Sequence, residues 1–483
     1  MAEVLFSHSY FLRFDPKQWE TSKPYAPLGT LYAAAYLREN GHSVAVTDVM
    51  FAHGPEEIIP ALRERKPQWV VLYDDHFNYL TKMCLTNMRE AAWEMSRLAR
   101  EAGAKVIVCS SDSTDQVEDY LDHHADFIIL GEGEETLLDL IRTVESGGDL
   151  HKVKGIAFRD QGATKHTEGR PVMRDLDLLP TPAWDLISMR PYQEAWRKHG
   201  HFSMSMATTR GCTYSCNWCA KPIWGRRYNA HSAARVADEL AMLVREYGAQ
   251  HIWFCDDIFG LKPGWIQEYA QQLEQRKLKV PYMIQSRADL LLKDDTAQAL
   301  AASGCDTVWI GAESGSQKIL DAMDKGTTIA QIHEARALMK KHRIKTAFFL
   351  QFGYLGETQD DIRATFRMLA ETMPDDIGVS VSYPLPGTVF YEKVKDLMGS
   401  KTHWTDSDDL ALMFRNTHSP AFYKRLHRYV HKQFRKLQAF ESLRLLLRRP
   451  FSAGRAHYRR AMSVVYYIPA AWIEKVKVGK LAH

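Results

Sequence analysis

Two series of short apolar runs, each run followed by a segment of helical periodicity, restrict this chain to folds built on parallel sheets. In residues 1–150 the runs AEVLFSH, SVAVTDV, WVVLYD, KVIVCS and DFIILG alternate with LGTLYAAAYLREN, EEIIPALRER, LTNMREAAWEMSRLAREA and EETLLDLIRTV. Strands joined through helices pair in parallel, which predicts an open, doubly wound, Rossmann-like sheet of α/β class. Ligands of such sheets sit beyond the carboxyl ends of the strands, so SHSYFL, YDDHFNYL, SSDSTDQ and GEGEE are the loops of interest. Residues 151–200 break the rhythm with Gly155, Gly162, Gly169, Pro171, Pro180, Pro182 and Pro191, and read as a hairpin and linker. In residues 201–400 the runs SMSMATT, HIWFCDD, YMIQSRA, TVWIGAE, TAFFLQFG and GVSVSYP again alternate with helical segments. Six such repeats predict a partial (β/α)6 barrel with its chemistry at the carboxyl ends of the strands. Residues 401–483 read as a basic helical cap.

At 483 residues the chain has room for two or three domains. Seven cysteines, at 84, 109, 212, 216, 219, 255 and 305, are an odd number with only the middle three clustered. That argues against a secreted disulfide framework and for a reducing, cytoplasmic setting. The N-terminus lacks a basic region followed by an apolar core and cleavage site, and no signal peptide is expected. The longest uncharged apolar stretch near the end, Met462 to Ile473, is 12 residues, short of the roughly 20 needed to span a bilayer. Residues 421–483 hold 15 Lys and Arg against Glu441 and Glu474, a net +13 within a chain of +3, so residues 1–420 carry −10.

Cys212, Cys216 and Cys219 follow the first strand of the second series, in TTRGCTYSCNWCAK. Three thiolates hold three irons of a [4Fe–4S] cubane and leave the fourth iron open. The competing reading is a zinc knuckle, but structural zinc takes four protein ligands, and the nearest further candidate, His231, is twelve residues past the last cysteine.

This segment resembles the radical S-adenosylmethionine superfamily, whose signature has an aromatic before its last cysteine, here Trp218. The resemblance covers about residues 200–390. It implies that the open iron chelates S-adenosylmethionine and that one-electron reduction, from a donor such as flavodoxin or ferredoxin, yields a 5′-deoxyadenosyl radical. Asp256 and Asp257, ending the second strand, match the position that contacts the methionyl ammonium, or they cap the following segment. Ser286 and Arg287, ending the third, place an Arg where it forks onto the methionyl carboxylate. Glu313 and Ser314, in GAESGS, match a ribose-contacting position, or cap the next helix. In FGYLGET, Gly353 and Gly356 match the adenine-side turn. YPLPGT, residues 383–388, occupies the place where cobalamin-dependent members carry a similar turn.

An open sheet ahead of such a barrel narrows the resemblance to cobalamin-dependent radical enzymes, including the anaerobic magnesium-protoporphyrin monomethyl ester cyclase type. PYAPLGTLYAAAYLRENGHSVAVTD and ILGEGEETL resemble that family's first helix with second strand and its fifth-strand loop. The resemblance implies cobalamin across the strand ends of residues 1–150, with His76 and Tyr79 near its lower face. Ser110 and Ser111, small enough for close approach to the corrin ring, stand where relatives often have two glycines.

Three functions follow from the resemblance. The first is methylation of an unactivated carbon in a small or lipid-like substrate, with one S-adenosylmethionine as methyl donor and a second as radical source. The second keeps the cofactors and performs an oxidative cyclisation or rearrangement. The third is a non-catalytic sensor that binds them. The tail mixes arginines with Tyr, Phe, Leu and Trp at helical spacing, which suits a peripheral membrane contact, a lid over an anionic substrate, or a solvated cap. Nucleic acid is disfavoured, because residues 1–150 have only Cys84 and Cys109 and lack the three-cysteine cluster site of the tRNA methylthiotransferases.

Overall fold

The structure, a computed structural model, describes residues 3–74, 76–77, 85–221, 223–398, 412–448 and 454–482. It divides into two compact units, Met1–Thr213 with Lys221–Ile284, and Tyr214–Ala220 with Gln285–His483.

The first unit holds a seven-stranded sheet in the order β2-β1-β3-β4-β5-β6-β7. Strands β1 (Glu3–Ser7), β2 (Ser43–Val46), β3 (Trp69–Tyr73), β4 (Lys105–Cys109) and β5 (Phe127–Ile129) are the five read from the sequence. All pair in parallel. Alternate residues enter separate cores: Val4, Phe6 and Val71 on one face, Leu5, Val70 and Leu72 on the other. Helices cover both faces, as a strand apolar at every position such as WVVLY requires. The strand order reverses between β1 and β3, which opens a ligand crevice at Ser7 and Tyr73.

The stretch from residue 151, read as a hairpin and linker, does form a hairpin, and it enters the sheet. Strands β6 (Ile156–Asp160) and β7 (Ala163–His166) form an antiparallel hairpin, and β6 pairs with β5. The glycines that suggested a linker are its turns: Gly155 and Gly162 have φ of 79° and 81°.

The same unit contains β8 (Ser203–Met206), which pairs in parallel with β11 (His251–Phe254), and β11 with β12 (Tyr282–Ser286). Between β8 and β11 lie two short antiparallel strands, β9 (Thr209–Arg210) and β10 (Asn229–Ala230), and helix Ala233–Tyr247. Ser232 caps that helix by accepting from the Arg235 amide, and Gly248 ends it in the left-handed region at φ 74°. In the second unit β13 (Cys305–Glu313), β14 (Lys345–Phe352) and β15 (Asp376–Val381) pair in parallel in chain order. Helix Pro420–Arg448 buries Phe422, Leu426, Val430, Phe434 and Gln438, one residue per turn.

The compact units cut across the sequence boundaries near residues 150 and 200, and one contact inside the first unit explains why. Arg210, on β9, is buried and donates from Nη1 to Glu132 at 2.5 Å and from Nη2 to Glu134 at 2.6 Å. Both acids belong to the GEGEE loop after β5. Burial opposes the Arg210 charge, but Glu134 and Glu132 more than offset it and raise its pKa. Arg210→Met would leave two carboxylates buried together without a counter-charge, and should cost the first unit about 3–5 kcal/mol. Urea unfolding measures this, and a loss below about 1 kcal/mol would show that the contact does not hold the unit together.

Candidate active site

The loop that carries the cysteines begins at Gly211. Its φ is 79°, and a Cβ there would lie 2.1 Å from the Arg227 carbonyl oxygen, so only glycine fits. Cys212 is partly exposed, and its carbonyl accepts from Lys221 Nζ at 2.7 Å. Asp256, buried at the end of β11, accepts from the Thr208 amide at 2.7 Å, the Thr208 hydroxyl at 2.7 Å and the Thr209 amide at 2.8 Å. Its carboxylate is therefore committed to the backbone that leads into the cysteines. Burial pushes its pKa up to about 7, against those donors. Asp257 is exposed.

In the second unit Cys216 and Cys219 are partly exposed, and the Cys219 amide donates to the Cys216 carbonyl at 3.2 Å. Asn217 between them is buried and pins the loop. Its amide donates to Met323 O at 3.0 Å, and its Nδ2 donates to Ala322 O and to Asp324 Oδ2, both at 2.8 Å. Tyr354, beside Gly353, brings its hydroxyl within 2.8 Å of Asn217 Oδ1. Nothing in the sequence reading marked Asn217, although it sits inside the cysteine motif.

Arg287 is buried next to this loop. Its Nε donates to Asp289 at 2.9 Å, Nη2 donates to the Thr327 hydroxyl at 2.9 Å, and Nη1 lies 3.9 Å from Cys216 Sγ. The guanidinium stacks on Tyr214 at 3.7 Å. The fork expected to bind a carboxylate is thus engaged within the protein, with one nitrogen toward a thiol. Ser286 is buried.

Glu313 is also paired. It accepts from Lys325 Nζ at 2.7 Å, and both side chains are buried. Burial lowers the Lys325 pKa, but Glu313 and Cys216 more than compensate, so the ammonium is retained. Lys325 Nζ also lies 5.9 Å from the Trp218 ring. Glu313 has φ 56° at a register shift between β13 and β14, a conformation costly for a non-glycine residue. Gly311 makes room for the pair, since a Cβ there would lie 2.6 Å from Lys325 Nζ and 2.7 Å from Glu313 Oε1. Lys325, in the loop DKGT, carries no motif by which sequence reasoning finds it. Ser314 is buried, and its hydroxyl accepts from the Ser316 amide at 3.1 Å.

Gly353 and Gly356 both have positive φ, 77° and 81°. Gly353 donates to Glu357 Oε2 at 2.7 Å, and Glu357 is raised to about 8 by burial.

At the strand ends of the seven-stranded sheet, His76 is buried with Nε2 3.4 Å from Cys109 Sγ, and its ring meets Tyr73 and Trp224 edge-on. Tyr79 lies outside the described residues. Ser110 forms a capping box with Ser113 for helix Ser111–Asp115. The Ser111 hydroxyl is buried without a hydrogen-bond partner among the described residues.

These residues fit the groups that the motifs imply. Cys212, Cys216 and Cys219 are all outside disulfides and partly exposed, the state a thiolate ligand needs. Arg287 and Lys325 supply positive charge beside Cys216. Trp218 Nε1 is buried without a partner among the described residues, as is Ser111 Oγ at the sheet, and each suits a polar contact with a bound molecule.

A family model of the Radical SAM superfamily matches residues 206–369, and one of the B12 binding domain matches residues 21–141. An uncharacterized methyltransferase of Pyrococcus horikoshii is 30% identical over 268 residues, 55% of this chain and 57% of the relative. The anaerobic magnesium-protoporphyrin IX monomethyl ester cyclase of Cereibacter sphaeroides is 28% identical over 277 residues, 56% of this chain and 45% of the relative. The matches thus span about half the length of these curated relatives. Among solved structures, the cobalamin-dependent S-adenosylmethionine radical enzyme OxsB with aqua-cobalamin bound aligns with a TM-score of 0.77 at 19% identity. The alignment covers 98% of this chain and 72% of that one, and shows the fold: a parallel-sheet α/β architecture with a helical C-terminal part.

Two outcomes test the site. Gly211→Ala should reduce the iron and sulfide retained after anaerobic reconstitution severalfold while leaving far-ultraviolet circular dichroism unchanged, and full retention would refute the steric argument. The raised pKa of Asp256 means that the native state binds its proton more tightly than the unfolded chain. Its contribution to stability is therefore present at low pH and lost between about 4 and about 7. The melting temperature of wild type relative to Asp256→Asn should fall across that window and level above it, and a flat difference would contradict the assignment.

Proposed function

We propose that this chain, which belongs to the radical S-adenosylmethionine superfamily and carries a B12-binding domain, is a cobalamin-dependent methyltransferase acting on an unactivated carbon of a small or lipid-like substrate. One observation carries the reading. A single chain joins a sheet with an unpartnered buried hydroxyl at its strand ends to a three-thiol loop, and that loop's middle cysteine faces a buried arginine. When bound, the [4Fe–4S] cluster with S-adenosylmethionine supplies a radical that takes hydrogen from an unactivated C–H bond, and cobalamin carries the methyl group.

The residues have distinct parts in this reading. Cys212, Cys216 and Cys219 hold the cluster. Asp256 and Gly211 set the backbone that presents Cys212, and Asn217 sets the backbone that presents Cys216. Arg287 and Lys325 hold positive charge beside Cys216. Trp218 Nε1 and Ser286 remain to contact S-adenosylmethionine, and Ser111 and Ser110 to line the corrin. Asp257, Glu313, Ser314, Gly353 and Gly356 stand in the places where the superfamily contacts S-adenosylmethionine, Glu313 through its pairing with Lys325. His76 and Tyr79 belong to the loop under the cobalt, with His76 held by Cys109. The electron donor is a flavodoxin or ferredoxin. The setting is the cytoplasm, with the basic tail at a membrane surface.

Oxidative cyclisation is the second reading, favoured by the 28% identity with a cyclase. Anaerobic reconstitution with iron, sulfide and hydroxocobalamin, followed by product analysis against candidate substrates, separates the two. Methylation should give S-adenosylhomocysteine and 5′-deoxyadenosine in a ratio of about one, as two molecules of S-adenosylmethionine are used per methyl transferred. Deoxyadenosine alone favours cyclisation. A Cys212/Cys216/Cys219→Ala variant should lose all deoxyadenosine, and its persistence would overturn the superfamily chemistry for this site.

A further inference from the structure

The last helix, Val464–Leu481, has two different sides. Its inner side is buried through Ala470, Ala471, Glu474 and Val478. Glu474 accepts from Lys432 Nζ at 3.1 Å and lies 3.6 Å from Arg425 Nη1, which ties the helix to Pro420–Arg448. Its outer side exposes Val465 at 77%, Tyr466 at 61%, Ile468 at 46%, Trp472 at 65%, Ile473 at 42% and Val476 at 39%. At about 100° per residue these six fall within a continuous arc of about 160°. Lys475 and Lys477 border the arc on opposite edges, and Lys480 continues it one turn on. The preceding helix, Arg455–Met462, adds exposed Arg455, Arg459 and Arg460.

Folding of a solitary chain explains the inner side only. Exposed apolar residues scattered singly need no account, but a continuous arc on one helix does. Charge identifies what covers it. Glu474 is the sole acid in residues 454–482, and it is turned inward, so every formal charge these residues present outward is positive. Protein interfaces are depleted in lysine relative to the rest of the surface. An apolar stripe with Trp and Tyr and a lysine border is the arrangement of a helix lying in the headgroup region of an anionic bilayer. Among the described residues no helix is long and apolar enough to cross a membrane, so the helix lies on the surface.

We infer that the outer face of helix Val464–Leu481 docks this protein on anionic lipid, with Trp472 and Ile468 entering the acyl boundary and the flanking lysines engaging headgroup phosphates. This makes specific the peripheral contact of the proposed function, and does not depend on the radical chemistry.

The test is co-sedimentation of the full-length protein with vesicles of phosphatidylcholine alone or phosphatidylcholine with a minority of phosphatidylglycerol, without S-adenosylmethionine. Wild type should partition onto the anionic vesicles, less so as salt rises, and poorly onto the neutral ones. Ile468→Glu/Trp472→Glu should reduce that partition about tenfold or more, from lost apolar burial. Lys475→Glu/Lys477→Glu should abolish the preference for anionic vesicles. Both variants should keep the wild-type melting temperature, since the altered side chains are exposed, and whatever deoxyadenosine the wild type forms in solution. Failure of the radical reading removes that deoxyadenosine and leaves the vesicle result standing. Equal partition of the Ile468→Glu/Trp472→Glu variant and wild type would overturn the inference. So would a wild type that ignores vesicles, including one that sediments as a dimer which this variant dissociates.

Discussion

The Arg210 guanidinium held between Glu132 and Glu134 is the contact on which the first unit depends. It takes three charges out of water, and such burial costs several kcal/mol per ion before pairing offsets it. The geometry meets that cost: Glu134 accepts from both terminal nitrogens, Glu132 also accepts from the Met173 amide, and the guanidinium lies within 6 Å of the Tyr32, Phe77 and Trp224 rings. The loop after β5 and the strand before Cys212 are therefore held at one register. Gly211 follows directly, and the steric contact with Arg227 leaves the chain one way to turn. The first cysteine is positioned by a charge triad and a forbidden Cβ.

In the second unit positive charge is concentrated near Cys216 by a similar means. Lys325 and Glu313 are each nearly inaccessible, and neither could be buried alone without shifting toward its neutral form. Together they hold an ammonium whose field reaches Cys216, and Arg287 adds a second cation. The left-handed backbone at Glu313 is part of the cost of this arrangement, tolerated because Gly311 clears the space the pair occupies.

What was legible in the sequence follows from periodicity and local spacing. The strands of both series are where alternation and apolar runs put them, and the cysteines are identified by their own separation. The hairpin β6–β7 was legible from its glycine-rich turn, but its membership of the sheet was not, because the strand it pairs with, β5, follows from no local spacing. Asp256, Arg287 and Glu313 are visible as polar residues at strand ends, but their partners Thr208, Thr327 and Lys325 come from elsewhere in the chain and follow no spacing rule. His76 shows the same limit. A loop histidine has many possible partners nearby in sequence, and Cys109, whose thiol lies within reach of its ring, is 33 residues away.

The polar groups that the fold leaves unspent matter most for chemistry. A buried donor or acceptor without a partner costs about 1–3 kcal/mol, so a fold tends to retain one only where something else completes it. Asp256, Arg287 and Glu313 each have partners within the chain, Thr208 and Thr209, Asp289 and Thr327, and Lys325 respectively. Trp218 Nε1, Ser111 Oγ and Glu357 Oε1 are buried and unpartnered among the described residues, and each lies in a loop at the carboxyl end of a strand or in the cysteine motif itself. Glu357 is the most demanding of these, because burial keeps its carboxyl protonated to about 8 and a protonated carboxyl can donate as well as accept. A ligand that meets any one of these groups recovers the free energy that its missing hydrogen bond costs. At each of these positions, a molecule that can satisfy the buried group gains over one that leaves it unpaired.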